Sequence, residues 1–173
     1  MPWGFMMSEA AAFIGDTSTV NLACFEVKGQ LYAIEVEYVR EIVRMMEITP
    51  LPNAPSLIEG VIDLRDTVIP ILDLVRALNR GTASTSMHAR IIVLEVDGLV
   101  LGLWVDAATD VLTLDTQNME DVPELATQAG YDAVRHVVRY EDGPPIMVLA
   151  VDRLVENIYR SALPGIAVTG EVP

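Results

Sequence analysis

The chain has 173 residues, 51% of them hydrophobic, and a formal net charge of −14 from 25 acidic and 11 basic side chains. That hydrophobic share excludes an intrinsically disordered chain and suffices for a core without disulfide or metal staples. The eleven Lys and Arg are scattered, so the acidic field argues against nucleic-acid binding; it suits either solubility alone or attraction to a basic protein face.

Residues 1–19 read as a flexible tail. Trp3, Phe5, Met6 and Met7 are apolar without a period, and 10–14 has room for one helical turn. Such a tail either docks on a partner or frays. No Lys or Arg precedes Val20, so the basic start of a secretory leader is missing. No apolar run approaches the length that spans a bilayer. A cytoplasmic protein without direct membrane insertion is expected.

Residues 20–27 have strand composition, Lys28-Gly29-Gln30 signals a turn, and 31–36 resumes as a strand, so the pair predicts a β-hairpin. The single cysteine, Cys24, falls in the first strand. It has no partner for an internal disulfide and reads as a small buried hydrophobe. Over 37–43, Val39, Ile42 and Val43 recur at helical spacing, which predicts a short helix or turn. Pro50, Pro52 and Pro55 make 47–55 an exposed connection or sheet edge.

Residues 60–64 and 67–74 predict two strands across a tight Arg65-Asp66 turn, followed by a helical turn at 75–78. The Gly-, Ser- and Thr-rich stretch 79–89 reads as a flexible linker. The pattern then restarts. Strands are predicted at 90–96 and 99–105 around Asp97-Gly98, a strong hairpin signal. A strand at 109–114 and a long polar connection at 115–132 follow. A last hairpin pairs 134–140 with 146–151, and Asp152 is placed to cap a helix running to about Leu163, with Pro164-Gly165 ending it.

The two halves resemble each other. Glu26-Val27-Lys28-Gly29 aligns with Glu95-Val96-Asp97-Gly98 at an offset of 69, and the same offset brings Val36 to Val105, Glu41 to Asp110 and Ile42 to Val111. Ile69-Pro70-Ile71-Leu72 aligns with Ile146-Met147-Val148-Leu149 at an offset of 77, which also brings Arg76 to Arg153. Two small β-barrels explain this order of strands, since closure removes exposed edges. Neither lobe is large enough to be comfortable alone, so a shared apolar interface is expected.

The residues that carry catalysis are not grouped in the sequence. The histidines are His88, in the linker, and His136, in a strand; neither His-x-x-x-His nor Cys-x-x-Cys spacing occurs, which argues against a metal. Glycine-rich phosphate loops are absent, and Ser56 and Ser84 lack a nucleophile-elbow frame. Acid pairs such as Asp63 with Asp66 and Glu35 with Glu37 read as solvated surface. The weight falls on recognition rather than reaction: no enzyme, no catalytic residue, no metal and no cofactor.

The ordered series 32–42, then Ile48-Thr49-Pro50-Leu51-Pro52-Asn53-Ala54-Pro55, then 58–66, then Ile69-Pro70-Ile71-Leu72-Asp73-Leu74 resembles the CheW family, the coupling proteins of bacterial chemosensory arrays. Gly102-Leu103-Trp104-Val105-Asp106 followed by Asp110-Val111 resembles the family's corresponding hairpin, and the resemblance covers about residues 20–156. It implies a mostly β fold: two intertwined, SH3-like five-stranded β-barrel subdomains with short connecting and C-terminal helices. The expected division is a tail over 1–19, one CheW-like domain over 20–156 with lobes at about 20–78 and 90–156, and the end of a C-terminal helix with a tail over 157–173.

The resemblance also implies an adaptor that couples the cytoplasmic tips of chemoreceptors to the regulatory domain of a CheA-type histidine kinase, with other CheW-like domains as further partners, at membrane-associated arrays. Val39, Glu41, Gly60, Arg65 and Val111 match positions of partner coupling. Val39 and Val111 would suit an apolar groove for a receptor tip, Glu41 and Arg65 would pair, and Gly60 would serve backbone conformation. The family's Asn-Leu-Arg-Gly is Asp63-Leu64-Arg65-Asp66 here. Asp66 replaces a turn glycine and tolerates positive φ, while the two added carboxylates flank Arg65. This places partner choice at Asp66 and points to a divergent system controlling surface motility, biofilm or development. The competing readings are a small-ligand sensor using a groove between the lobes and a self-assembling scaffold.

Overall fold

A computed structural model describes residues 18–78, 81, 86–122 and 133–171, with side chains described as far as Ser161. The expected tail over 1–17, much of the 79–89 linker, the 123–132 part of the polar connection and the last two residues lie outside the described residues.

Eleven strands run in chain order among the described residues: β1 Thr19–Val27, β2 Gln30–Glu35, β3 Val39–Arg44, β4 Ile58–Leu64, β5 Thr67–Asp73, β6 Arg90–Val96, β7 Leu99–Val105, β8 Ala107–Asp115, β9 Met119–Asp121, β10 Val134–Arg139 and β11 Pro145–Leu149. Helix α1 is Leu74–Ala77 and α2 is Val151–Glu171. Three of the predicted hairpin turns form with both central residues at positive φ: Lys28 (50°) with Gly29 (78°), Arg65 (50°) with Asp66 (67°), and Asp97 (51°) with Gly98 (82°). That is the backbone twist a two-residue hairpin needs.

The strands make two sheets, ordered β9-β10-β11-β2-β1-β8 and β3-β6-β7-β5-β4. The lobes therefore do not follow the expected division into 20–78 and 90–156. Each sheet takes the first hairpin of one half and the later strands of the other. The joins are two parallel pairings, Val148 with Ala33 and Ile71 with Gly102. These are the same pairing twice under the sequence repeat, because the offsets of 77 and 69 carry one onto the other. Local sequence specifies each hairpin; only long-range packing selects the exchange.

Three apolar clusters follow from this arrangement. The largest draws on both sheets and both helices, with Phe25, Ile34, Ile92, Leu94, Leu103, Leu74 and Leu154 buried together. A second lies within the first sheet around Leu22, Ala33, Val138 and Val148, and a third within the second sheet around Ile62, Ile69, Ile71, Ile91 and Val93. Each fully buried side chain of this kind contributes about 1.5–3 kcal/mol. The shared cluster is what joins the two lobes into one unit.

Three expectations are corrected. Residues 39–43 are strand, not helix. Arg40 is the extra residue of a bulge, so Val39 pairs with Leu94 and Ile42 with Ile92. The partners are two apart while Val39 and Ile42 are three apart, and a bulged strand thus mimics helical spacing. The first sheet has a sixth strand, β9, whose three residues are too short to show an alternating pattern. Helix α2 starts before Asp152 and runs past Pro164-Gly165 to Glu171. The Arg153 and Leu154 amides donate to the Ala150 carbonyl, so Asp152 lies inside the first turn and favours the helix dipole rather than capping it. Pro164 removes one backbone donor without ending the helix.

Candidate protein-binding site

Strand β3 lies at one edge of the second sheet and β4 at the other, so closing this barrel brings them together. The Thr49 and Val61 backbones exchange N–H···O bonds of 2.8 Å each way, joining the chain beyond β3 to β4. Gly60 lies beside this seam. A Cβ there would collide with the Thr49 carbonyl, and it would stand 2.9 Å from a methyl of Ile48. Gly60 is buried and its φ is not positive. The expectation of a conformational role is corrected: close backbone approach requires the glycine, because no side chain fits between the closing strands.

The other end of the seam carries the charges. The Arg65 guanidinium donates to the Glu41 carboxylate. Arg65 is 68% exposed and Glu41 30% exposed, so the pair is wet and contributes about 0–1 kcal/mol to stability. Its geometric effect is larger. It ties the β4–β5 turn to β3 around a recess of about 150 Å³ that Arg40, Leu64 and Thr67 also line. Asp63 and Asp66 are exposed, and among the described residues the ion pair Arg65 makes is with Glu41. Asp66 holds the turn at φ 67°, and its carboxylate adds negative charge beside an arginine already paired.

Val39 is half-buried and packs on the shared core, whereas Val111, on β8 of the first sheet, is 66% exposed. The structure therefore brings Glu41, Arg65 and Asp66 together, sets Gly60 behind them, and leaves Val111 on the other barrel. Val111 pairs with Ala23 next to a bulge between Ala23 and Phe25, as Ile42 pairs with Ile92 next to the bulge at Arg40. Ile42 is thus the structural counterpart of Val111, exposed at 43%. Sequence reasoning passed over it as a candidate, although the offset of 69 marked it.

An apolar groove among the described residues involves neither Val39 nor Val111. It holds about 450 Å³ between the proline-rich segment at Leu51–Pro55, the start of β7 at Leu99, and α2 at Val155, Ile158 and Tyr159. Its signal in the sequence was the Pro50–Pro55 run, which marks an exposed segment but not what it faces. Among the described residues no His, Cys, Asp and Glu side chains group to hold a metal ion, and no helix is long and apolar enough to cross a membrane.

The fold agrees with comparisons to known proteins. The CheW-like domain family matches residues 21–158. The chain belongs to the CheW-like domain family. It is 33% identical over 142 residues to the chemotaxis protein CheW of Rhizobium meliloti, covering 82% of this chain and 91% of that protein. To CheW of Bacillus subtilis it is 32% identical over 144 residues, covering 83% and 92%. The crystal structure of the scaffolding protein TtCheW from Thermoanaerobacter tengcongensis superposes with a TM-score of 0.71 at 30% identity, covering 78% of this chain and 86% of that one. The mostly β architecture in two sheets is that of the CheW-like fold with its two SH3-like subdomains.

Proposed function

We propose that this CheW-like chain is a non-enzymatic adaptor that couples chemoreceptor cytoplasmic tips to the regulatory domain of a CheA-type histidine kinase in a chemosensory array. The observation that carries the reading is the Glu41–Arg65 pair, fixed at the mouth of one barrel in a chain whose residues 21–158 match the CheW-like family. It presents a charged turn of defined shape while contributing little to stability, as expected of a recognition element. Val111 and Ile42 supply exposed aliphatic surface on the two barrels, and the groove at Leu51, Leu99 and Tyr159 is large enough to take apolar side chains of a receptor tip.

In this reading Val39 and Gly60 act behind the surface, by packing and by closing the barrel, while Glu41, Arg65, Asp66 and Val111 meet partners. Other CheW-like domains are further partners, and recruitment to the array places a cytoplasmic protein at the membrane without insertion. The Asp66 turn favours a divergent output such as surface motility, biofilm or developmental signalling.

Co-sedimentation with a cognate receptor cytoplasmic fragment and with the isolated kinase regulatory domain tests the proposal. Retention with both is expected, and loss of retention in Arg65→Glu and Val111→Asp with the fold intact. Folded wild-type protein that binds neither overturns it.

A further inference from the structure

The repeat relates the two barrels, yet their equivalent ends differ. Glu35 and Trp104 are 69 residues apart and occupy the same place at the ends of β2 and β7. Glu35 pairs with Leu22, a core residue of the first barrel, and Trp104 pairs with Ile91, a core residue of the second. Cross-strand partners share a face, so both side chains stand at the mouth of their own barrel. In the second barrel Trp104, Met45, Met46 and Ile48 pack on the core and fill that mouth.

In the first barrel no bulky side chain among the described residues takes that place. Glu35 stands in place of Trp104. His136 stands in place of Gly60, each following the same register shift in its hairpin, between Val134 and His136 and between Ile58 and Gly60. What remains is a cleft of about 670 Å³, lined by Val20, Val36, Met119, Glu35, Glu37 and His136 among others, with no Lys or Arg on its wall among the described residues.

The groups around it ask for a cation. Neither Glu35 nor Glu37 is in an ion pair among the described residues. The Nε2 of His136 faces the Asp121 carboxylate at 3.5 Å, and its Nδ1 is buried without a hydrogen-bond partner among the described residues. The neighbouring Tyr38 phenol feels the same field: burial first, then Glu35, Glu37 and Asp152, raise its pKa above the usual value, against a lowering by Arg135. Val20, Val36 and Met119 add an apolar wall.

We propose that this cleft binds a guanidinium or ammonium group carried on an apolar stem, the cation between Glu35 and Glu37 and the stem against Val36 and Met119. The chemistry is that of an arginine or lysine side chain from a partner protein or of a free organic polyamine. The second barrel lacks the site because its own Trp104 occupies the equivalent space.

Titration of the full chain with Nα-acetylarginine methylamide, its neutral citrulline isostere and spermidine, followed by amide and methyl NMR shifts in 150 mM salt, tests this. Saturable shifts at Val36, Met119 and His136 are expected with the arginine compound, at least tenfold weaker with citrulline. Glu35→Trp, which copies the closed barrel, and Glu35→Gln, which keeps the shape, are both expected to lose the response. Saturation by arginine at lower concentration than spermidine assigns the cleft to a partner side chain; the reverse assigns it to a free polyamine. Equal response to citrulline, or an unchanged response in Glu35→Gln, overturns the proposal.

Discussion

The Arg65 guanidinium donates to the Glu41 carboxylate across the opening of the second barrel, joining residues 24 apart in the chain. The turn that carries Arg65 and the strand that carries Glu41 belong to opposite edges of one sheet. Because Arg65 is 68% exposed, solvent screens the pair. Arg65→Ala and Glu41→Ala are each expected to change stability by less than about 1 kcal/mol, seen as a shift in the urea midpoint. Arg65→Glu is expected to weaken partner binding at nearly unchanged melting temperature, and Glu41→Arg combined with Arg65→Glu to recover part of it. A large loss of thermal stability in Arg65→Glu would make the residue structural instead.

Gly60 behaves differently because it sits where the barrel closes. Adding a methyl group forces apart the backbones that Thr49 and Val61 bring together. Gly60→Ala is expected to cost about 1–3 kcal/mol, the range for overpacking a filled site. Gly143→Ala is the control: the nearest atom to its added Cβ is the Tyr140 carbonyl at 3.4 Å, and little change is expected. Chemical denaturation of both variants measures the difference. Any loss of partner binding in Gly60→Ala should scale with the loss of folded protein.

The hairpins were legible because turn chemistry is local: Lys28-Gly29 and Asp97-Gly98 announce positive φ in the sequence itself. The repeat was legible too, since Glu26–Gly29 and Glu95–Gly98 share their pattern. The exchange of strands between halves was not. Its two parallel pairings, Val148 with Ala33 and Ile71 with Gly102, join segments far apart in the chain and leave no local mark. The bulge at Arg40 turned a strand into an apparent helix. Glu41, Arg65 and Asp66 were picked out from their motifs and do come together. The role of Gly60 was misjudged, because the cause is an approaching backbone rather than its own φ. The opening beside Glu35 was hidden because it appears only when the two barrels are compared side by side.

Cys24 offers a pH test of the first barrel. Burial, and then the nearby Asp110 carboxylate, push its thiol up to about 11 from a usual 9.0. The thiolate is therefore disfavoured in the folded state, and the thiol is expected to resist iodoacetamide until the protein unfolds. The folded state keeps its proton where the unfolded chain releases one. The contribution to stability is intact below about pH 9 and is lost as pH rises through about 11. Cys24→Ala should remove that component. Urea midpoints measured from pH 8 to 11 should fall more steeply in wild type than in the variant.

Asp66 offers a test of partner choice. It holds φ 67° at the second central position of its turn, where Gly29 and Gly98 stand in two other hairpins at 78° and 82°. A side chain there costs about 1–2 kcal/mol for most residues and less for Asp. The conformational freedom of an unfolded glycine offsets about 0.5–1 kcal/mol of any gain. Asp66→Gly is therefore expected to leave stability within about 1 kcal/mol of wild type or raise it slightly, with the Arg65–Glu41 pair retained. The charge change is the informative part. Removing one carboxylate next to Arg65 lowers the repulsion felt by an acidic partner surface. Binding to the kinase regulatory domain or the receptor fragment should strengthen in Asp66→Gly if that partner presents acids to Arg65. Equal affinity of both forms for both partners, read by titration at low and high salt, would show that Asp66 shapes the turn and does not select what docks on it.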